Sequence, residues 1–406
     1  MKKFLFYALA LAMPIFSACS EDDPEPQTVV SFSYSMPAEH SSDAIKTSTL
    51  ELTDLATNVK TSYDFSQVVN HEVSLTDGLY DMTLVVTTTH TVGGKEVSET
   101  FRDSKQNVSV VDGAMSVSFS VVRVSGGQGF VLADMCLVSK LADGLKSYTG
   151  DGWFRIYNNS ADTLFADGLC LVESAFNASS AGKHDYTPDI MAEAMTVQAV
   201  YQIPGSGKNV PVLPGASLLI ADIAKDHTTS NALSFDLSKA DFEWYDETEK
   251  NLDTDTEVPN LTCVYKLSKT IWLPSQRYNR SYAIGFLGGE FGKMTAEEFI
   301  ENQVYETSYV TMVNEQEKTM TFSYYRFENS WILDAVSFAP SKDHAWNIID
   351  QSLDAGYVSM GETVTDNNRC GKSARRKFAN GMMVDSNNSS DDFEVVDSAD
   401  PYYVFE

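Results

Sequence analysis

The sequence predicts a mainly β protein built as two β-sandwiches in series, the second larger and interrupted by long insertions containing short helices. Three observations carry this expectation. Short runs alternate apolar and polar residues, as in "TLELTDLATNV" (Thr49 to Val59), the pattern of a strand with one wet face. Turn pairs recur between such runs: Asp77-Gly78, Gly93-Gly94 and Asp167-Gly168. The 406 residues are 43% hydrophobic and 11% aromatic, enough apolar mass for packed cores in two or three domains.

The chain opens on a targeting segment. Lys2 and Lys3 precede an apolar stretch, Phe4 to Phe16, too short to cross a hydrocarbon core, which needs about 20 residues. Residues 1–18 therefore read as a signal peptide ending in Phe16-Ser17-Ala18, with Cys19 just beyond. This arrangement resembles the bacterial lipobox. The resemblance implies cleavage before Cys19 and lipidation of its thiol, since stable anchoring takes more than one acyl chain. Glu21, Asp22, Asp23, Pro24, Glu25 and Pro26 follow at once and cannot bury apolar surface, so residues 19–28 read as an extended acidic tether. Serine plus acids at this place also resembles the export signal of Bacteroidetes surface lipoproteins, which implies display on the outer leaflet of the outer membrane.

Residues 29–125 carry the first set of strands. "HEVSLTDGLYDMTLVVTTTHTV" (His71 to Val92) turns at Asp77-Gly78, and "SVSFSVVRV" (Ser116 to Val124) closes the set before Gly126-Gly127, a linker. "LTDGLYDMTLVV" resembles the turn and strand of transthyretin-like and carboxypeptidase-regulatory-like domains, which implies an immunoglobulin-like sandwich acting as a spacer. Residues 128–406 follow. "GDGWFRIYNNSADTLFADGLCLVE" (Gly150 to Glu173), "LPGASLLIAD" (Leu213 to Asp222) and "NSWILDAVSF" (Asn329 to Phe338) come in order, then "GKSARRK" and "VDSNNSSDDF" within Gly371 to Phe393. Together they resemble the lamin-tail type of immunoglobulin-like domain, with insertions at 174–212 and 223–328. The first insertion includes "PDIMAEAMTVQAVY" (Pro188 to Tyr201), which reads as a helix. The whole chain resembles an uncharacterised family of Bacteroidetes surface lipoproteins of about 400 residues, and that resemblance implies a gene near TonB-dependent receptors.

Charge and motifs narrow the function. A formal charge of −28 argues against nucleic acid or anionic lipid as partners, because phosphate binding needs clustered Lys and Arg. The six histidines form no HxH or HExxH, and there is no GxSxG, so no hydrolase signature is present. "PGSGKNV" (Pro204 to Val210) fails as a phosphate loop, because Asn209 stands where Ser or Thr should hold magnesium; it reads as a polar turn. Cys136, Cys170, Cys263 and Cys370 form no CxxC and read either as disulfide partners or as buried thiols. No cofactor is called for; calcium is the one candidate, with Asp253, Asp255 and Glu257 at the alternating spacing of a calcium loop, although Val258 stands where the sharp-turn glycine belongs.

Aromatics of the second insertion, Trp244, Tyr245, Trp272, Tyr278 and Tyr282, are candidate contacts for a ligand or partner. Tyr324-Tyr325 and Trp331 stand at its end, Trp331 as core. Arg375-Arg376-Lys377 reads as a structural ion-pair site. Thr163 and Ser398, in Asp-Thr-Leu and Asp-Ser-Ala, resemble O-glycosylation acceptors of exported Bacteroidetes proteins. The expectation is a non-enzymatic, lipid-anchored surface protein: a binding or accessory subunit working with a TonB-dependent receptor in nutrient uptake. An adhesin or structural surface protein is the second class, a hydrolase the third.

Overall fold

The structure, a computed structural model, describes residues 26–36, 43–57, 59–66, 71–92, 95–111, 113–124, 129–141, 147–250, 252–289, 294–379 and 381–405. Cys19, the signal and residues 20–25 of the tether lie outside these residues, as do Gly93-Gly94 and Gly126-Gly127; Gln27 and Thr28, the end of the expected tether, already belong to a strand. The chain is mainly β, as its patterning predicts.

The first core is a two-sheet sandwich. Strands β1 (Gln27–Ser35), β4 (His71–Thr76) and β7 (Ala114–Ser120) form one sheet in the order β4-β1-β7. The other sheet runs β3-β2-β5-β6-β8, from β2 (Ala44–Asp54), β3 (Val59–Asp64), β5 (Gly78–Val92), β6 (Lys95–Val110) and β8 (Val122–Val124). Alternation does the work here: Val30 and Phe32 on β1, Leu50 and Leu52 on β2, and Met82, Leu84 and Val86 on β5 all point into one apolar cluster. Strands β5 and β6 pair antiparallel out to Val92 opposite Lys95.

A second sandwich begins at β9 (Phe130–Cys136). Its first sheet has six strands, in the order Phe242–Glu243, Ser217–Ala221, Trp153–Asn158, β9, Ser373–Arg376, Phe393–Val396. The facing sheet runs Val304–Val313, Gln316–Glu328, Ala194–Gln202, Leu169–Ser174, Ser281–Phe286, Ile332–Ser337, with Thr262–Lys266 also on Ala194–Gln202. Between them Phe154 and Ile156 meet Leu171, Tyr201, Tyr282 and Ile284. The Phe154 and Tyr282 rings lie 5.1 Å apart. The outer face of the second sheet is covered too: Cys170, Val172, Met195 and Val197 pack under helix α1 (Ala296–Asn302), through its buried Phe299. Thr295 and Glu298 close α1 with a capping box. Gly285 sits at a shift of register, where a Cβ would come within 2.1 Å of the Trp331 carbonyl oxygen, so no larger residue fits there.

One expectation is corrected. Pro188 to Tyr201 is not a helix; it ends in the strand Ala194–Gln202, most of whose residues are buried on both faces. A strand covered on both sides loses its period of two and reads as a continuous apolar run. The segments 174–212 and 223–328 supply strands to the second sheet. Cys136, Cys170 and Cys370 are buried free thiols, and Cys263 is free and exposed.

Arg375 and Arg376 are buried, as ion-pair partners. Arg375 Nε meets Asp134 Oδ2 at 2.7 Å. Arg376 is 1% exposed and reaches Asp334 at 2.6 Å, Asp385 at 3.3 Å and Asp392 at 3.5 Å. Asp334 Oδ2 also accepts the Leu132 amide at 2.6 Å, so it ties the second sheet to the first. Removing the guanidinium leaves three buried carboxylates without a counter-charge. Arg376→Ala should therefore cost about 3–5 kcal/mol, read as a lowered urea midpoint.

Candidate functional site

The chain after strand Leu169–Ser174 has to turn away from the sheet, and polar bonds fix how it does so. Arg280 Nη1 donates to the carbonyls of Ser174, at 2.7 Å, and of Ala175 and Phe176. The Ala178 amide donates to Asn279 O at 2.9 Å, and Ala345 N to Ala178 O at 2.9 Å. Further along, Thr187 and Ser308 exchange both backbone bonds, at 2.8 and 3.1 Å, which lays the turn against the edge strand Val304–Val313. That strand and Gln316–Glu328 form a hairpin closed by Asn314 and Glu315, both with positive φ (50° and 61°), the geometry of a type I′ turn.

This framework encloses a cleft of about 290 Å³. Phe176, Tyr186, Tyr305 and Trp346 line it with rings, Ile190 and Ile348 with aliphatic carbon, and Lys183, Asp185 and Asp189 with charge. Phe176 and Tyr186 stack 4.1 Å apart, and the Tyr186 and Trp346 planes lie within 21° of each other. A ladder of rings continues along the hairpin beside the cleft. His184 lies on Tyr309 at 3.6 Å, Tyr309 near Phe322 at 5.5 Å, and Phe322 near Tyr324 at 5.8 Å. Register explains it, because Tyr305 opposes Tyr324 and Thr307 opposes Phe322, so these side chains share one face.

Several polar atoms of the walls are spoken for. Tyr305 Oη donates to Pro188 O at 2.5 Å and Trp346 Nε1 to Asn177 O at 2.8 Å. Lys183 Nζ donates to Ala345 O at 3.2 Å. Burial pushes the Tyr186 hydroxyl well above its usual pKa, with the neighbouring Tyr324, Tyr309 and Tyr305 adding to it, so this phenol stays protonated at every physiological pH. A site of this kind can hold a small molecule between ring faces; among the described residues, His184 makes contact with rings and not with a hydroxyl or thiol.

The aromatics that the sequence singles out lie elsewhere. Trp244, Trp272, Tyr278 and Tyr282 are core, each at most 3% exposed, and only Tyr245 is half-buried. Their hydrophobic rings fill the space between the two sheets, with Trp244 and Trp272 5.1 Å apart. Polar handles find a buried partner in Glu173, which accepts Trp272 Nε1 at 2.7 Å and Tyr282 Oη at 2.8 Å. Of the sequence aromatics, Tyr324 alone is brought beside the cleft, where its ring meets Phe176 at 5.7 Å. Thr163 and Ser398 are exposed.

Asp253, Asp255 and Glu257 do not converge, and among the described residues no group of three His, Cys, Asp or Glu could hold a metal ion. The carboxylates of this loop take protein donors instead. Asp253 accepts the Asp246 amide at 2.9 Å, Asp255 accepts Asn260 Nδ2 at 2.9 Å, and Glu257 is exposed. Inside the loop Glu243 accepts the amides of Ala224 and Thr256, and Asp246 pairs with Lys266. The "PGSGKNV" turn likewise receives a protein carboxylate. Burial works against the charge of Asp167, but the amides of Asn209, Val210 and Gly207 more than offset it and hold that carboxyl below its usual range.

Beside the acid loop, Asp222 is buried and faces Asp253, Asp151, Asp246 and Glu243. Burial first, and then these charges, raise its pKa well above the ordinary 3.8; burial also raises Asp151 and Asp253. Groups that bind protons more tightly folded than unfolded contribute stability that is complete below about pH 4 and lost as pH rises above it. Asp222→Asn should thus flatten the fall in stability between pH 5 and pH 8. At pH 8 the variant should be the more stable of the two in urea denaturation, and at pH 4 the difference should shrink or reverse.

Comparison with known proteins adds the following. The sequence profile of a family described as protein of unknown function (DUF4876) matches residues 213–399. Among solved structures, the chain is similar to a DUF4876 family protein from Bacteroides thetaiotaomicron VPI-5482, known from a crystal structure at 2.50 Å resolution. Identity is 21%, the match covers 90% of this chain and 94% of that one, and the TM-score is 0.55, a likeness of fold. No curated protein matches the chain significantly.

Proposed function

We propose that this chain is a non-enzymatic binding protein, held on the outer face of a bacterial outer membrane by lipid on Cys19, and that it serves as an accessory subunit to a TonB-dependent receptor in nutrient uptake. One observation carries the binding role: a concave, ring-walled cleft of about 290 Å³, near the lower end of small-ligand pockets, on a framework fixed by Arg280 and the Thr187–Ser308 pairing. A preformed cleft loses little freedom on occupation, which favours affinity for a ligand. The address draws on the apolar run, the small residues before Cys19 and the acidic tether after it.

An adhesive role is the second reading. It draws on the outer hairpin, where Val310 and Met312 stand 62% exposed. Affinity capture from detergent-solubilised membranes separates the two. A stoichiometric receptor partner is the expected result. Loss of attachment on gene deletion, with growth on a limiting nutrient unchanged and no receptor recovered, would favour adhesion. For the address, a palmitate analogue should label the wild-type protein, whereas Cys19→Ser should stay unlabelled and leave the membrane fraction; equal labelling of both would overturn the anchor.

A further inference from the structure

We propose that the cleft takes a small organic cation, a molecule presenting a substituted ammonium group to the rings of Phe176, Tyr186, Tyr305 and Trp346. This rests on reading the cleft as a ligand site and goes further by naming the charge of its occupant.

Three features point the same way. Aromatic faces are electronegative, and several of them around one cavity attract a cation whose alkyl groups also gain from leaving water. Asp185 and Asp189 belong to the same lining, both are exposed, and among the described residues neither forms an ion pair; they outnumber the cation of that lining, Lys183, by two to one. The one lysine of the lining, Lys183, has its ammonium on the Ala345 carbonyl. On a chain of formal charge −28, an anionic ligand would meet ring faces and two carboxylates, which repel it.

A neutral polyol fits the polar inventory less well than a cation does. Sugars need several donors and acceptors in place, because each hydroxyl withdrawn from water must be paired again. Here the Tyr305 hydroxyl is committed to Pro188 O and the Trp346 indole to Asn177 O. What the cleft has left to offer is the Tyr186 hydroxyl, the His184 ring and the two acids, set against a larger apolar surface that includes Ile190 and Ile348. An alkylammonium group asks for acids and apolar surface and no donor.

The test uses the full chain and a matched pair of probes: choline and 3,3-dimethyl-1-butanol, its neutral isostere, titrated by calorimetry or NMR, with methyl α-glucoside as a polyol. Choline should bind, and the neutral isostere should bind about tenfold more weakly or less. Tyr186→Ala and Asp189→Asn should each weaken choline binding by a similar factor. Asp189 also accepts the Met191 amide, so Asp185→Asn serves as the second acidic variant, free of that structural bond. Equal binding of the isostere, or binding of the glucoside in place of choline, would overturn the cation while keeping the cleft as a site. Failure of all three probes would overturn the cation and the cleft together. Recovery of a receptor partner by affinity capture is decided separately, so the two proposals can fail independently.

Discussion

The second sandwich depends on one guanidinium. Arg376 comes from the six-stranded sheet, Asp334 from the facing one, and the bond between them also engages the Leu132 amide on β9. Two sheets packed through side chains alone are free to slide; a directional, charge-assisted contact across the sandwich fixes how they meet. Replacing the whole set by apolar residues is a different experiment from removing one member, because only the latter strands a buried charge. The clamp is thus worth more for the arrangement it imposes than for its net contribution to stability.

That arrangement extends to the first sandwich. Asp385, which also meets Arg376, opens the turn "DSNN", and the carbonyls of Ser386 and Asn387 accept Arg102 Nη1 from β6 at 3.0 and 3.1 Å. Asn388 then caps the short helix Ser389–Asp392, and Asp392 returns to Arg376 at 3.5 Å. Asp354 completes the set by accepting the Ser389 amide and hydroxyl, at 2.8 and 2.6 Å. One turn near the end of the chain therefore serves the clamp, the helix cap and the joint between the two cores. The dense polar motif that the sequence shows there has a structural explanation in full.

How much of this was legible beforehand follows from the physics of each signal. Alternation is visible wherever one face is wet, as on β1, β2 and β5, so the first sandwich and the β class were readable. Ala194–Gln202 is covered on both faces and hides among helix-like residues. Apolar rings carry no mark of depth, which is why Trp244, Trp272, Tyr278 and Tyr282 could be taken for contacts and prove to be core. Carboxylate spacing misled at Asp253, Asp255 and Glu257 because alternation along a chain does not bring oxygens to one point; a turn must do that, and here the turn directs them to backbone amides and Asn260 instead. The cleft left no signature at all. Its walls come from residues near 176, 186, 305 and 346, and long-range bonds bring them together: the strand register, the Arg280 bonds and the Thr187–Ser308 and Ala345–Ala178 pairings.

A chain with 57 acids and 29 basic residues must solve a problem that most folds avoid, namely where carboxylates go when they are not in water. Three solutions coexist. Asp334 and Asp134 take arginine. Glu173 and Asp354 take several neutral donors each, which satisfies the charge without adding an opposite one. Asp222 takes neither and relies on raised proton affinity. Asp185 and Asp189 stand outside all three because both are exposed: among the described residues they form no ion pair, water solvates them at the cleft, and Asp189 also accepts the Met191 amide. A cationic occupant of the ring-walled cleft would meet this unneutralised pair and the aromatic faces together, so the acid surplus of the chain and the rings of the cleft would act on one ligand.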